Sequence, residues 1–67
     1  MKITYDKEAD AMYVKFSDAD FAKNQLIDDD TILDLDKEGK IIGLEILDVS
    51  TRFPKNFMKT ISVENLS

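Results

Sequence analysis

The chain has no cysteine and no histidine among its 67 residues, and only one proline and two glycines. Without thiols there is neither a disulfide framework nor a thiolate centre, and without imidazole the commonest metal ligand and the commonest general base are both missing. A zinc site of the usual kind is thereby excluded. Ser17, Ser50, Thr51, Ser62 and Ser67 have no histidine to activate them, so they are expected as caps and loop residues, not nucleophiles. Basic residues are in the minority: nine Lys and Arg stand against fourteen Asp and Glu, for a net charge of −5 at pH 7 and an isoelectric point near 4.4. That sign repels a phosphate backbone, so direct nucleic-acid binding is not expected. No apolar run approaches the roughly 20 residues that cross a bilayer, and the opening Met1–Asp6 segment holds no apolar signal core. No membrane role is expected, and the cytoplasm is the expected compartment.

What is present describes one small folding unit. A hydrophobic fraction of 43% and a charged fraction of 34% are ordinary for a globular domain. A chain this short buries only about 60% of its unfolded surface, which makes burial against a partner part of the expectation. No internal repeat or second domain is visible, so residues 1–67 are read as a single domain.

The hydrophobic periodicity is mainly that of strands. Met1, Ile3 and Tyr5 alternate with Lys2 and Thr4 until Asp6-Lys7-Glu8 interrupts them. Ala9 to Phe16 fits two periods: Met12, Val14 and Phe16 suit a strand, while Ala9, Met12, Tyr13 and Phe16 suit one helical face. The Tyr13-Val14 pair and Phe16 favour the strand, which a short turn after Tyr5 would join into a hairpin. Ser17 to Asp20 is a polar loop, Ala22 to Ile27 a weak third strand, and Asp28-Asp29-Asp30 its end. Leu33 and Leu35 alternate with Asp34 and Asp36, Lys37-Glu38-Gly39 supplies a turn, and Ile42, Leu44 and Ile46 continue the alternation beyond it. Leu33, Leu35, Ile42, Leu44 and Ile46 are the expected core. One helical turn is expected over Asp48 to Phe53, ahead of Pro54. In the tail, Phe57, Met58, Ile61 and Val63 fit either a last strand or a cover over an open face. The fold class is therefore mainly β, bordering on α+β: a small antiparallel sheet of hairpins with a short helical turn near the C-terminus.

The sharpest chemical pattern is Asp34 to Glu45. It matches a twelve-residue calcium loop at positions one, three, five and twelve (Asp34, Asp36, Glu38, Glu45), with Gly39 at six. Such spacing suits a hard cation because a sharp turn at glycine carries alternate oxygens inward. The motif also requires flanking helices, whereas Thr31-Ile32-Leu33 and Ile41-Ile42-Gly43-Leu44 read as strands, so a charged hairpin is favoured over a calcium-binding domain. Asp28, Asp29 and Asp30 with Asp34 and Asp36 also suggest a metal-dependent phosphoryl enzyme, but no glycine-rich phosphate loop accompanies them. The expectation is a non-enzyme with no catalytic, cofactor-binding or metal-ligating residues and no cofactor.

Ile32, Ile41 and Leu47 lie opposite the expected core face. Three aliphatics there would form an apolar stripe, the kind of surface that pairs with another chain, so a homodimer or a small protein partner is expected. Were that partner basic, Asp28, Asp29, Asp30, Asp34 and Asp36 are the acidic groups to meet it.

The opening Met1-Lys2-Ile3-Thr4-Tyr5-Asp6, the following Glu8-Ala9-Asp10-Ala11-Met12-Tyr13-Val14 and the later Gly43-Leu44-Glu45-Ile46-Leu47-Asp48 together resemble the small bacterial family known as domain of unknown function 2283. The resemblance covers about residues 1–52, leaving 53–67 as a tail, and departs at Lys7, where many relatives carry proline. It implies two hairpins in one antiparallel sheet with a helical turn near Asp48 to Arg52, and a strand over Ala11 to Phe16. It further implies an accessory or antitoxin-like partner of a small toxin-like protein, and it brings no catalytic residue with it.

Overall fold

Alternating apolar and polar side chains over Lys2–Asp6 and Ala11–Lys15 form strands β1 and β2 of the computed structural model, which describes residues 1–57 and the backbone of residues 64–65. The remaining elements are β3 (Lys23–Asp28), β4 (Thr31–Leu35), β5 (Ile41–Ile46), the single-turn helix α1 (Val49–Arg52) and β6 (Glu64–Asn65). They make one sheet in the order β3-β4-β5-β2-β1-β6. The first five strands are mutually antiparallel, and β6 adds a short parallel bridge at Thr4 and Tyr5. The strand expected over Ala22 to Ile27 begins and ends one residue later.

Turn chemistry sets the registers. Asp6 Oδ1 accepts the backbone N–H groups of Glu8 and Ala9, and the turn closes at Asp10, whose φ of +52° is a left-handed value that Asp tolerates better than most residues. Between β4 and β5, Asp36 Oδ1 takes the N–H groups of Glu38 and Lys40, both at 2.9 Å. Gly39 supplies the left-handed residue, φ +82°, that a three-residue hairpin loop needs. Asp29 and Asp30 link β3 to β4, with Asp28 Oδ1 accepting the Asp30 N–H at 2.8 Å.

The registers place three rows of side chains on one sheet face. Tyr5, Met12, Ile46 and Thr31 form the first row, and Ile3, Val14, Leu44 and Leu33 the second. Ile42 and Leu35 begin a third row beyond a bulge in the β4–β5 ladder. Helix α1 covers the first row: Val49, the buried residue of α1, packs beside Tyr5, and Arg52 Nη1 donates to Thr31 Oγ1 at 2.9 Å. Its chain enters through Asp48 at φ +54°, and the Val49 N–H donates to the Asp10 carbonyl at 3.1 Å.

The buried core is Met12, Leu35, Ile42 and Val49. Of the five residues expected there, Leu35 and Ile42 are buried, whereas Leu33, Leu44 and Ile46 are half-buried. The reason is geometric. A four-residue helix spans only about 6 Å at 1.5 Å per residue, too little to roof a sheet face three rows deep. Of the tail residues, Phe57 stacks on Phe53 with ring centroids 4.3 Å apart, while Met58, Ile61 and Val63 lie outside the described residues.

Candidate functional site

The residues of the calcium-like pattern fold as strand, turn and strand. Asp34 belongs to β4, Asp36 and Glu38 to the turn, and Glu45 to β5, where it pairs with Tyr13 and Ile32. Asp36 is occupied with turn N–H groups, and Asp34 accepts two side-chain hydrogen bonds, from Tyr13 Oη at 2.9 Å and Asn24 Nδ2 at 2.7 Å. Among the described residues no group of three or more acidic side chains is arranged to hold a metal ion.

Tyr13, Asp34 and Asn24 form a polar cluster across β2, β4 and β3. Gly43 makes it possible, because the Tyr13 ring lies over the bare glycine backbone. Partial burial of the phenol, followed by the neighbouring Asp34 carboxylate, raises the Tyr13 pKa above its usual value. This cluster and its glycine were not anticipated from the sequence. The signal available there was a glycine inside a strand pattern, which marks close approach of another group.

A second cluster ties α1 to the first hairpin. Asp10 accepts from Tyr5 Oη at 2.7 Å and from Ser50 Oγ at 2.7 Å, with the Ser50 N–H close by. The hydrogen bond from Tyr5, then that from Ser50, holds the Asp10 carboxyl below its usual pKa, and the same bond raises that of Tyr5. A third cluster gathers at Arg52, whose guanidinium donates to the Asp30 carbonyl at 3.1 Å and lies 3.6 Å from Asp28. The Asp28 carboxyl is lowered chiefly by the Asp30 N–H and next by Thr31. The Asp30 carboxyl is raised, first by burial and then by its contact with Asp48. Asp10 and Asp28 are structural ties, each engaged by hydroxyls or backbone N–H groups.

The expected stripe of Ile32, Ile41 and Leu47 is not continuous. Ile32 pairs with Glu45 and Ile41 with Leu35, and the Asp34–Gly43 pair lies between them under the polar Tyr13 cluster. Ile32 and Leu47 are half-buried and Ile41 is exposed. The apolar surface that faces solvent lies on Ile41 of that stripe and, away from it, on Phe16, Phe21 and the edge strand β3. All six residues of β3 are exposed, Leu26 at 68% and Ile27 at 55%. The acidic turn Asp28 to Asp30 sits at the end of that same strand, and Asp36 lines a cavity together with the exposed Phe21.

No helix among the described residues is long and apolar enough to cross a membrane. No curated protein and no solved structure matches the chain. Over residues 2–50, spanning the five antiparallel strands and the start of α1, the sequence matches the family model described as "Protein of unknown function (DUF2283)", and the chain belongs to that family.

Proposed function

We propose that the protein is a non-enzymatic interaction module of the cytoplasm, pairing with itself or with a small protein partner in the manner of an accessory or antitoxin-like component. The observation that carries this reading is the amount of apolar surface left facing water. The row Ile3, Val14, Leu44 and Leu33 is only half-covered, Phe16, Phe21, Leu26, Ile27 and Ile41 are exposed, and none of the described side chains is withdrawn completely from solvent. Surfaces of that kind on small soluble domains mark association. Support for a non-enzymatic role comes from the use to which the carboxylates are put: Asp10, Asp34 and Asp36 each accept bonds that hold the fold.

Two measurements test the reading together. Light scattering across a concentration series should reveal self-association, or co-expression with the protein encoded beside it should yield a complex that survives purification. A chain that stays monomeric at every concentration and also co-purifies with no encoded neighbour would remove the proposal.

A further inference from the structure

Helix α1 takes its cap from another element. Its own N-cap residue, Asp48, makes no side-chain cap bond. The first amides of the helix turn instead to the β1–β2 turn: the Val49 N–H donates to the Asp10 carbonyl at 3.1 Å, the Ser50 N–H to Asp10 Oδ1 at 3.1 Å, and Ser50 Oγ to Asp10 Oδ2 at 2.7 Å. Asp10 thus does from a distance what a Ser, Thr, Asn or Asp at the N-cap does locally. At the other end Arg52 reaches the Asp30 carbonyl and Thr31 Oγ1. Val49 is the buried residue of α1, while Ser50, Thr51 and Arg52 are exposed. Among the described residues, no strand approaches α1 along its backbone as extensively as hydrogen-bonded strands approach one another.

We propose that Asp48–Phe53 is a strap that opens and closes as a unit over Met12 and Ile46 while the antiparallel sheet stays folded, with the Asp10 carboxylate as its latch. Both ends of the strap suit such a movement. Asp48 holds a left-handed φ of +54°, which costs energy in the closed state, and Phe53 is already extended, as a residue before proline is biased to be. Little hydrogen bonding is given up on opening, because a four-residue helix has hardly any of its own. The sheet keeps its support: the ladders joining β3, β4, β5, β2 and β1, and the buried Leu35 and Ile42, all lie outside the strap. Segments with few buried contacts open at a lower free energy than the whole fold. Opening bares Met12, 3% exposed when closed, and joins it and Ile46 to the half-covered row Ile3, Val14, Leu44 and Leu33. The strap therefore sets how much of this face is apolar toward solvent. The inference goes beyond the interaction-module reading and does not depend on it.

The test is native-state hydrogen exchange on the full chain, read by NMR across urea concentrations below the unfolding transition. The amides of Ser50, Arg52 and Phe53 should open together, protected about a hundredfold less than the slowest amides of β2 and β5, and with almost no urea dependence because opening exposes little surface. Asp10→Gly keeps the left-handed backbone and removes the carboxylate, and should lower protection in α1 by about tenfold, as loss of a helix cap does. Val49→Lys should leave α1 unprotected and the β2–β5 ladder still protected, with increased binding of the apolar dye anilinonaphthalene sulfonate to the bared face. Equal protection and equal urea dependence in α1 and the ladder would overturn the inference, since helix and sheet would then part only in global unfolding. Loss of ladder protection in Val49→Lys would overturn it for the same reason, and unchanged α1 protection in Asp10→Gly would remove Asp10 as the latch. These readouts need no second molecule, so their failure is separate from failure of the association tests.

Discussion

Gly43 shows how one missing side chain organises its surroundings. A Cβ built on it would run into the Tyr13 hydroxyl and lie 2.6 Å from Tyr13 Cζ, so the ring could not lie flat and its bond to Asp34 would be displaced. Gly43→Ala is expected to destabilise the fold by about 1–3 kcal/mol, the usual range for overpacking, as read from urea denaturation. In a Tyr13→Ala background the same substitution should cost less than about 0.5 kcal/mol, since residues in contact fail to add. An equal cost in both backgrounds would mean that the ring is not what the methyl group meets. The sequence shows a glycine in a strand at this position, but not that a tyrosine of the neighbouring strand, two residues away in register, would lie on it. That pairing depends on β2 docking beside β5, which no local pattern encodes.

The elements divide by how much of their cause is local. The β4–β5 hairpin was legible because Asp36, Gly39 and the alternating aliphatics act within a dozen residues, and Gly39 adopts the left-handed φ that the turn requires. The ambiguous Ala9–Phe16 segment became a strand because β1 on one side and β5 on the other offer it two hydrogen-bonded ladders. Helix α1 is different again: four residues cannot sustain a helix through their own hydrogen bonds, so packing must hold it. Val49, at 3% exposure, is that anchor. Val49→Ala should cost about 2 kcal/mol, in line with removing two buried carbon groups. It should also raise amide exchange at Thr51 and Arg52, whose N–H groups donate to the Asp48 carbonyl. Unchanged exchange there would show that the Asp10–Ser50 bonds alone suffice.

For the whole molecule, the carboxylates set the response to pH. Asp10, Asp18 and Asp28 have depressed pKa values in the fold, so each contributes stability that is present above its unfolded pKa and lost as pH falls through its lower folded one. Asp30 is raised and acts oppositely: its contribution is present below the unfolded pKa and lost as pH rises through the folded one. Three such groups against one predict a melting temperature that falls as pH drops below the ordinary Asp value of 3.8. With no histidine in the sequence, stability should change little between about pH 6 and 8. Asp10→Asn should flatten the acid limb, because its amide neither ionises nor titrates. An acid limb of unchanged slope would place the pH dependence on other groups.

By itself the sequence determined the strand-rich class, the polar turns, the helical turn before Pro54 and the family, because each follows from periodicity and residue type over a few consecutive positions. It also determined what is chemically missing, since a side chain not encoded cannot appear. Only the tertiary structure decided the strand order, the division of the expected core into buried Leu35 and Ile42 against half-buried Leu33, Leu44 and Ile46, and the placing of exposed apolar groups at β3. Those outcomes depend on which strands become neighbours and how far so short a helix reaches across them, quantities set by contacts between residues distant in the chain.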